Sequence, residues 1–199
     1  QQLLNVQQAA LDDYNRDQAQ RLRWQPPGDV LIRHARLYDS RLPSVGEDMA
    51  ILIRGQRIAA VGRDVELWQR ASAAPEGAEL QVIDAAGRFV MPGLWDSHQH
   101  FGPGTGLMDL ASGVTSARDL ANDTPSMLAR QRRFDHGEEL GPRTLLAGFM
   151  DGPGPLAGPT KALVDTPVAA LEWVERYANQ DHQQIKVYSS LKPELVAPI

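Results

Sequence analysis

The sequence has 199 residues, a formal net charge of −5 and a hydrophobic content of 42%, a composition typical of globular proteins. The acidic balance argues weakly against a nucleic-acid partner, which would favour a basic surface, and no apolar run is long enough to span a membrane. The chain contains no cysteine, which excludes disulfides and thiolate metal sites but indicates no compartment.

The first predicted element is a polar helix followed by a linker, within residues 1–27. Sparse apolar positions among Gln, Asp, Arg and Ala in residues 3–24 give a helix with a thin apolar stripe. The sequence Pro26-Pro27-Gly28 ends this helix, since proline and glycine interrupt regular structure. The helix is interpreted either as a connector from a preceding domain or as a solvated helix without a specific role, and the second interpretation is simpler.

Residues 28–90 are predicted to form a small antiparallel β module. Short apolar runs alternate with glycine-containing turns such as Arg54-Gly55-Gln56-Arg57, a pattern typical of strands joined by hairpins. A short helix is predicted at residues 65–70. We expect this module to be a scaffold that does not carry the functional site.

Residues 91–199 alternate between strand and helix patterns, which predicts a parallel α/β fold. The predicted strands cover residues 94–100, 113–120, 144–149 and 184–188, and the predicted helices cover residues 107–112, 126–140 and 166–177. The glycine-rich stretch 101–106 lacks the residues of a phosphate-binding loop. The long loop 150–166 is predicted to be functional or mobile.

His98 and His100 end the first of these strands and form a candidate metal site. Alternate strand residues share a face, so the two imidazoles project together, with Asp96 behind them on the same side. Two such rings can bind one metal ion, and Asp96 is placed to orient one of them. The alternative is two loop histidines without a ligand, and the spacing alone favours that alternative.

Residues 90–100, with the sequence VMPGLWDSHQH, residues 113–120 and residues 184–188 resemble the first, second and fourth strands of the metal-dependent amidohydrolase superfamily, in particular its imidazolonepropionase and prolidase-like branch. The resemblance implies that residues 91–199 form the first half of a (β/α)8 TIM-type barrel. It also implies a β-sandwich module over residues 28–90. A complete barrel takes about 250 residues, so we expect the chain to be the N-terminal part of a longer protein.

The resemblance implies that Lys186 is carboxylated and bridges two divalent metal ions, expected to be zinc, with His98 and His100 as further ligands. Lys186 lies between Ile185 and Val187 on a predicted strand, where burial of an ammonium group is costly. The alternative is a surface lysine whose stem lies along apolar neighbours. The family's general base and its remaining histidine ligands belong to later strands, so no catalytic residue is expected within this chain.

Arg118 and Tyr188 are weaker candidates for contacts with the substrate. Arg118 is close to the predicted barrel mouth and can bind a substrate carboxylate, but an ion pair with Asp119 or with the barrel wall is the simpler expectation. Tyr188 shares a face with Lys186 and either reaches the substrate or packs. The other histidines match no ligand position of the family and are predicted to be surface residues: His34, His136 and His182.

The function implied by the resemblance is hydrolysis of a non-standard amide, a cyclic amide or a dipeptide-like C–N bond of a small molecule by a metal-activated hydroxide. One alternative is a mononuclear deaminase-type member, against which Lys186 argues. Another is a non-catalytic barrel relative that acts as a binding module. The sequence is compatible with an oligomer and with a cytoplasmic or periplasmic location.

Overall fold

The structure, a computed structural model, describes residues 2–41, 43–73, 79–121, 123–197 and 199. It is an α/β fold that opens with the predicted polar helix, α1 (Gln2–Leu22). The chain divides into one unit of residues 24–92 and another built from residues 1–23 and 93–199. No helix in these described ranges is long and apolar enough to cross a membrane.

Residues 24–92 form a five-stranded mixed sheet with one helix. The elements are β1 (Asp29–Leu37), β2 (Gly46–Arg54), β3 (Arg57–Arg63), α2 (Asp64–Ser72), β4 (Leu80–Asp84) and β5 (Phe89–Val90). The sheet order is β3-β2-β1-β4, and β5 also pairs with β1. Buried side chains of the sheet and of α2 form its core: Leu31, Ala50, Leu52, Leu67 and Ala71.

The antiparallel arrangement predicted for this module is correct for β1, β2 and β3 but wrong for β4 and β5, which pair with β1 in parallel. The helix α2 between β3 and β4 explains the difference, because a helical crossover returns the chain in the same direction. The predicted β-sandwich is not confirmed, since the described strands of this unit belong to a single sheet.

The second unit contains a parallel sheet whose longer strands alternate with helices, as predicted, and a two-residue strand that lies within the predicted loop 150–166. Its elements are β6 (Leu94–Gln99), α3 (Thr105–Ala111), β7 (Val114–Asp119), α4 (Thr124–His136), β8 (Arg143–Asp151), β9 (Ala162–Leu163), α5 (Pro167–Ala178) and β10 (Gln184–Val187). The strand order is β10-β8-β7-β6, β9 lies beside β8, and these pairings are parallel.

Local residues set the ends of α4 and α5. The Asp123 side chain accepts a hydrogen bond from the Ser126 N–H and caps α4, and the Thr166 side chain caps α5 just before a proline at the first helical position. Helix α4 ends at Gly137, whose φ of 68° is left-handed, before the predicted end at residue 140. A glycine in this conformation closes a helix.

The parallel sheet has two faces, which we call the helix face and the open face. Side chains on the helix face pack against α4 and α5: Ala117, Leu146 and Met150. Alternate strand residues point to opposite sides, so Arg118 and Phe149 lie on the open face. Lys186 pairs with Phe149 in the register of β10 and β8 and lies on the open face as well.

Candidate metal centre

The two predicted histidine ligands lie together at the end of β6. The ring centroids of His98 and His100 are 5.2 Å apart, the ring planes form an angle of 64°, and both residues are exposed. A histidine nitrogen binds zinc at about 2.0–2.1 Å, so rings at this separation can reach one ion. The geometry therefore suits a shared cation.

A β-bulge in β6 decides which side chains accompany the histidines. Asp96 pairs with Ala117 of β7, and Gln99 pairs with Asp119, so three steps along β6 span two steps along β7. Because Ala117 lies on the helix face, Asp96 and Gln99 lie there too, and the histidines project from the open face. The prediction that Asp96 lies on the histidines' side is wrong, because simple alternation assumes an unbroken register.

Asp96 binds the backbone of the histidine segment. Its Oδ1 accepts a hydrogen bond of 2.9 Å from the His98 N–H. Burial raises the pKa of Asp109 on α3, and the nearby charge of Asp96 adds to this rise, as expected for two carboxylates on the helix side of β6. Asp96 thus positions the His98 peptide, and the predicted role of orienting a ring is replaced by this backbone contact.

A backbone carbonyl fixes the orientation of the His100 ring. The His100 Nδ1 lies 3.0 Å from the carbonyl oxygen of Ala121, and a carbonyl oxygen only accepts hydrogen bonds. In the neutral ring the proton therefore resides on Nδ1, and Nε2 keeps the lone pair that binds a metal. Metal-binding histidines commonly donate their second nitrogen in this way.

The segment after His100 is held by buried polar groups that sequence reasoning missed. The Phe101 N–H donates to Asp119 Oδ2 at 3.1 Å, and Arg130 of α4 donates to the Gly102 carbonyl at 2.7 Å. Arg130 also donates to the buried carboxylate of Glu139 at 2.8 Å. These partners lie 9 to 28 residues apart along the chain, so no local pattern reveals them.

Lys186 lies on the open face, in contact with two aromatic rings. Its Nζ is 5.1 Å from the ring centroids of both Phe149 and Tyr188, and these two rings meet edge to face at 5.2 Å. Such distances are typical of cation–π contacts. Tyr188 therefore packs beside Lys186, while its 44% exposure leaves part of the side chain open to a ligand.

Arg118 lies on the open face and connects the strand that carries the histidine pair with the strand that carries Lys186. Its Nε donates to the Ser97 carbonyl and its Nη1 donates to Gln184 Oε1, both at 2.9 Å. These bonds join β7 to β6 and to β10, the first and last strands of the sheet order. The structure thus places His98 and His100 at one edge of the open face and Lys186 at the other, with Arg118 between them.

A second group of metal-binding side chains occurs in the other unit. Ligand atoms of His34, Asp48 and Asp64 lie within 4.8 Å of one another. However, Arg33 donates to both Asp64 oxygens at 2.9 and 2.5 Å, and this bond lowers the pKa of Asp64. Arg33 already supplies the positive charge that a cation would bring, so we interpret this group as an ion-pair network.

Two of the three remaining histidines are more buried than predicted. His34 is half-buried and its ring nitrogens lie 3.1 Å from Asp84 and 3.4 Å from Asp64. His182 is half-buried against the Tyr177 ring at 5.0 Å, and burial lowers the pKa of its imidazole. His136 is exposed, as predicted.

Asp151, which sequence reasoning also missed, organises the loops beside Lys186. Its side chain is fully buried at the end of β8, and it accepts hydrogen bonds of 2.8 Å from the N–H groups of Gly152, Gly158 and Ser190. Burial alone would raise the pKa of Asp151, but these backbone hydrogen bonds outweigh it and hold the pKa below its ordinary value. One carboxylate thereby ties the loop after β8 to the loop after β10.

We expect Asp151→Ala to lower the free energy of unfolding by about 3 kcal/mol at neutral pH, because it leaves three partly or fully buried N–H groups without their acceptor. Because the pKa of Asp151 is lower in the folded than in the unfolded protein, its ionised form stabilises the fold at pH values above the unfolded pKa of about 3.9. This stabilisation is lost as the pH falls through the folded pKa. The difference between wild type and variant in urea denaturation should therefore shrink in acid. The control Asp165→Ala, at an exposed residue between β9 and α5, should change stability by less than about 0.5 kcal/mol. Equal stability of Asp151→Ala and wild type at neutral pH would contradict the anchoring role.

No protein-family model matches the chain, but segments of it are similar to known enzymes. The chain is 38% identical over 78 residues to an adenine deaminase of Ruegeria sp. (strain TM1040), and this matched segment is 39% of this chain and 12% of that protein. It is 51% identical over 51 residues to an imidazolonepropionase of Anaeromyxobacter sp. (strain K), and this matched segment is 26% of this chain and 11% of that protein.

A solved structure extends the match over most of the chain. A crystal structure assigned as a prolidase, from Bifidobacterium longum, superposes with a TM-score of 0.67 and 25% identity over 84% of this chain and 42% of that one. The chain therefore spans less than half the length of the proteins compared. These similarities to an adenine deaminase, an imidazolonepropionase and a prolidase-type structure support the assignment of the chain to the metal-dependent amidohydrolase superfamily.

Proposed function

We propose that the whole protein is a metal-dependent hydrolase that cleaves a C–N bond of a small molecule, and that residues 91–199 form the first half of its (β/α)8 barrel. A parallel sheet with helices on one face and the superposition on a prolidase-type structure support this architecture. The histidine pair follows the carboxyl end of a strand, which is the edge where barrel enzymes carry their active sites.

The observation that carries this proposal is the pair of adjacent rings of His98 and His100, one of which is fixed by the Ala121 carbonyl. Neutral imidazole nitrogens suit a divalent cation such as zinc. When bound, such an ion supplies an activated water and polarises a substrate oxygen. The chain's own contribution is to hold both rings on the open face and to keep the His100 proton on Nδ1.

We further propose that Lys186 is carboxylated and supplies an anionic ligand for a second cation. The side chain is half-buried, lies on the same face as the histidines, and is flanked by the Phe149 and Tyr188 rings. The neutral Lys186 amine would add carbon dioxide and lose a proton, and the resulting carbamate is an anion that a pair of cations would stabilise. Tyr188 is then placed to contact substrate. The hydrogen bonds of Arg118 to Ser97 and Gln184 favour a structural role in joining the strands of the sheet.

A mononuclear deaminase-type enzyme is a second candidate. The identity of 38% to an adenine deaminase favours it, while the position of Lys186 beside the open face favours two ions. The number of bound ions separates the two candidates, since a mononuclear site does not use a bridging lysine.

The metal content of the intact protein tests the proposal. We expect about two zinc-type ions per chain by elemental analysis, and hydrolysis of Xaa-Pro dipeptides or cyclic amides that a chelator abolishes and zinc restores. One ion together with ammonia release from adenine would favour the deaminase candidate. A protein that binds no metal and hydrolyses none of these compounds would contradict both and favour a binding module.

A further inference from the structure

The residue between the two histidines, Gln99, has every polar group of its side chain engaged. Its Oε1 accepts a hydrogen bond of 2.9 Å from the His100 N–H. Its Nε2 donates to the two oxygens of Asp109 at 3.0 and 3.2 Å. Its backbone carbonyl accepts from the Leu120 N–H at 3.0 Å. Gln99 therefore links the histidine segment both to β7 and to α3.

Asp109 fixes the orientation of the Gln99 amide. A carboxylate only accepts hydrogen bonds, and a backbone N–H only donates. With Asp109 on one side and the His100 N–H on the other, the amide has one favourable orientation, with its NH2 group toward Asp109 and its oxygen toward His100. Without the carboxylate the amide can rotate and present its NH2 group to the His100 N–H, which removes that bond.

The position of Asp109 is itself fixed by close packing of α3. Asp109 is 9% exposed, and Gly106 one turn earlier lies so close to the segment after α4 that an added Cβ would be 2.7 Å from the Leu140 carbonyl oxygen. Helix α3 therefore has little freedom to move away from β6. The contact between α3 and the histidine segment is built on a rigid support.

We propose that Gln99 and Asp109 form a positioning pair that holds His98 and His100 in a metal-binding arrangement, an inference that rests on the proposed function. Neither side chain lies on the open face with the rings, so the pair acts only through the backbone of the segment. Partners of this kind that orient metal ligands typically change metal affinity by about 10- to 100-fold when removed.

Four variants of the full chain test the pair: Asp109→Ala, Asp109→Asn, Gln99→Met and the double variant with Asp109→Ala and Gln99→Met. Zinc affinity is measured by competition with a chromophoric chelator, and the ligand geometry is measured by the absorption spectrum of the cobalt-loaded protein. We expect Asp109→Ala and Gln99→Met each to weaken zinc binding by about 10- to 100-fold and to alter the cobalt spectrum. Asp109→Asn keeps an acceptor oxygen and should restore most of the affinity. The double variant should be no weaker than the single ones, because both remove the same link.

Met108→Ala, at a residue 70% exposed on the same helix, is the matched control and should bind zinc like wild type. The proposal is overturned if folded Asp109→Ala and Gln99→Met variants keep wild-type affinity and spectrum. It is also overturned if Asp109→Asn is as weak as Asp109→Ala. Should Asp109→Ala fail to fold, Gln99→Met decides the question from the other side of the contact. Failure of the proposed function is a distinct result, in which wild type binds no zinc or His98→Ala binds it as tightly as wild type.

Discussion

Replacement of His98 by alanine is expected to abolish metal-dependent hydrolysis and to weaken zinc binding by more than about 100-fold. Loss of a partner that merely orients a ligand already costs about 10- to 100-fold in metal affinity, and this variant removes a proposed ligand itself. The ring is exposed, so its removal opens no core cavity. The metal-free variant should therefore unfold within about 0.5 kcal/mol of metal-free wild type, while the additional stability that zinc gives to wild type is lost.

Elemental analysis, chelator competition and urea denaturation with and without zinc measure these effects. His136→Ala is the matched control, because it removes an exposed imidazole from α4 that has no proposed role at the metal centre. Its metal content and stability should equal those of wild type. Full metal occupancy in His98→Ala would reject the histidine pair as the metal site.

Lys186→Ala is expected to lose the second ion and most of the activity, because it removes the proposed bridging ligand. Short-chain carboxylates or bicarbonate should partly restore metal binding and rate, since a small anion can occupy the place of the carbamate between the ions. The measurement is the number of ions bound and the hydrolysis rate as functions of added acetate, propionate or bicarbonate. Wild type should show no comparable increase.

The variant Lys186→Arg distinguishes a role of Lys186 as a carbamate from a role as a cation in contact with aromatic rings. Arginine keeps a positive charge beside Phe149 and Tyr188 but forms no carbamate, so it should be as impaired as alanine. Lys192→Ala, an exposed lysine after the same strand, should behave as wild type. A metal-loaded crystal structure that shows a bare ammonium at Lys186, or wild-type activity of Lys186→Arg, would contradict the two-ion proposal.

In the mixed sheet of residues 24–92, the sequence pattern predicted the strands but not the direction of each strand. The presence of short strands, the hairpin turn at residues 54–57 and the helix near residue 65 were predicted correctly, because these depend on side chains close in sequence. The direction of β4 relative to β1 depends on how α2 crosses the sheet, and the apolar runs are the same for either direction. A pattern of short strands therefore predicted hairpins where the chain forms a crossover.

The sequence by itself determined the order of the longer strands and helices in residues 91–199 and the joint position of His98 and His100, because alternation, capping residues and prolines act over a few residues. Tertiary structure alone decided that Asp96 faces the helices, since the bulge in β6 exists only in its pairing with β7. It also decided the partners of Asp151 and of Gln99. A buried carboxylate or amide takes its partners from whichever backbone groups the fold brings near, and Ser190 reaches Asp151 across 39 residues of chain.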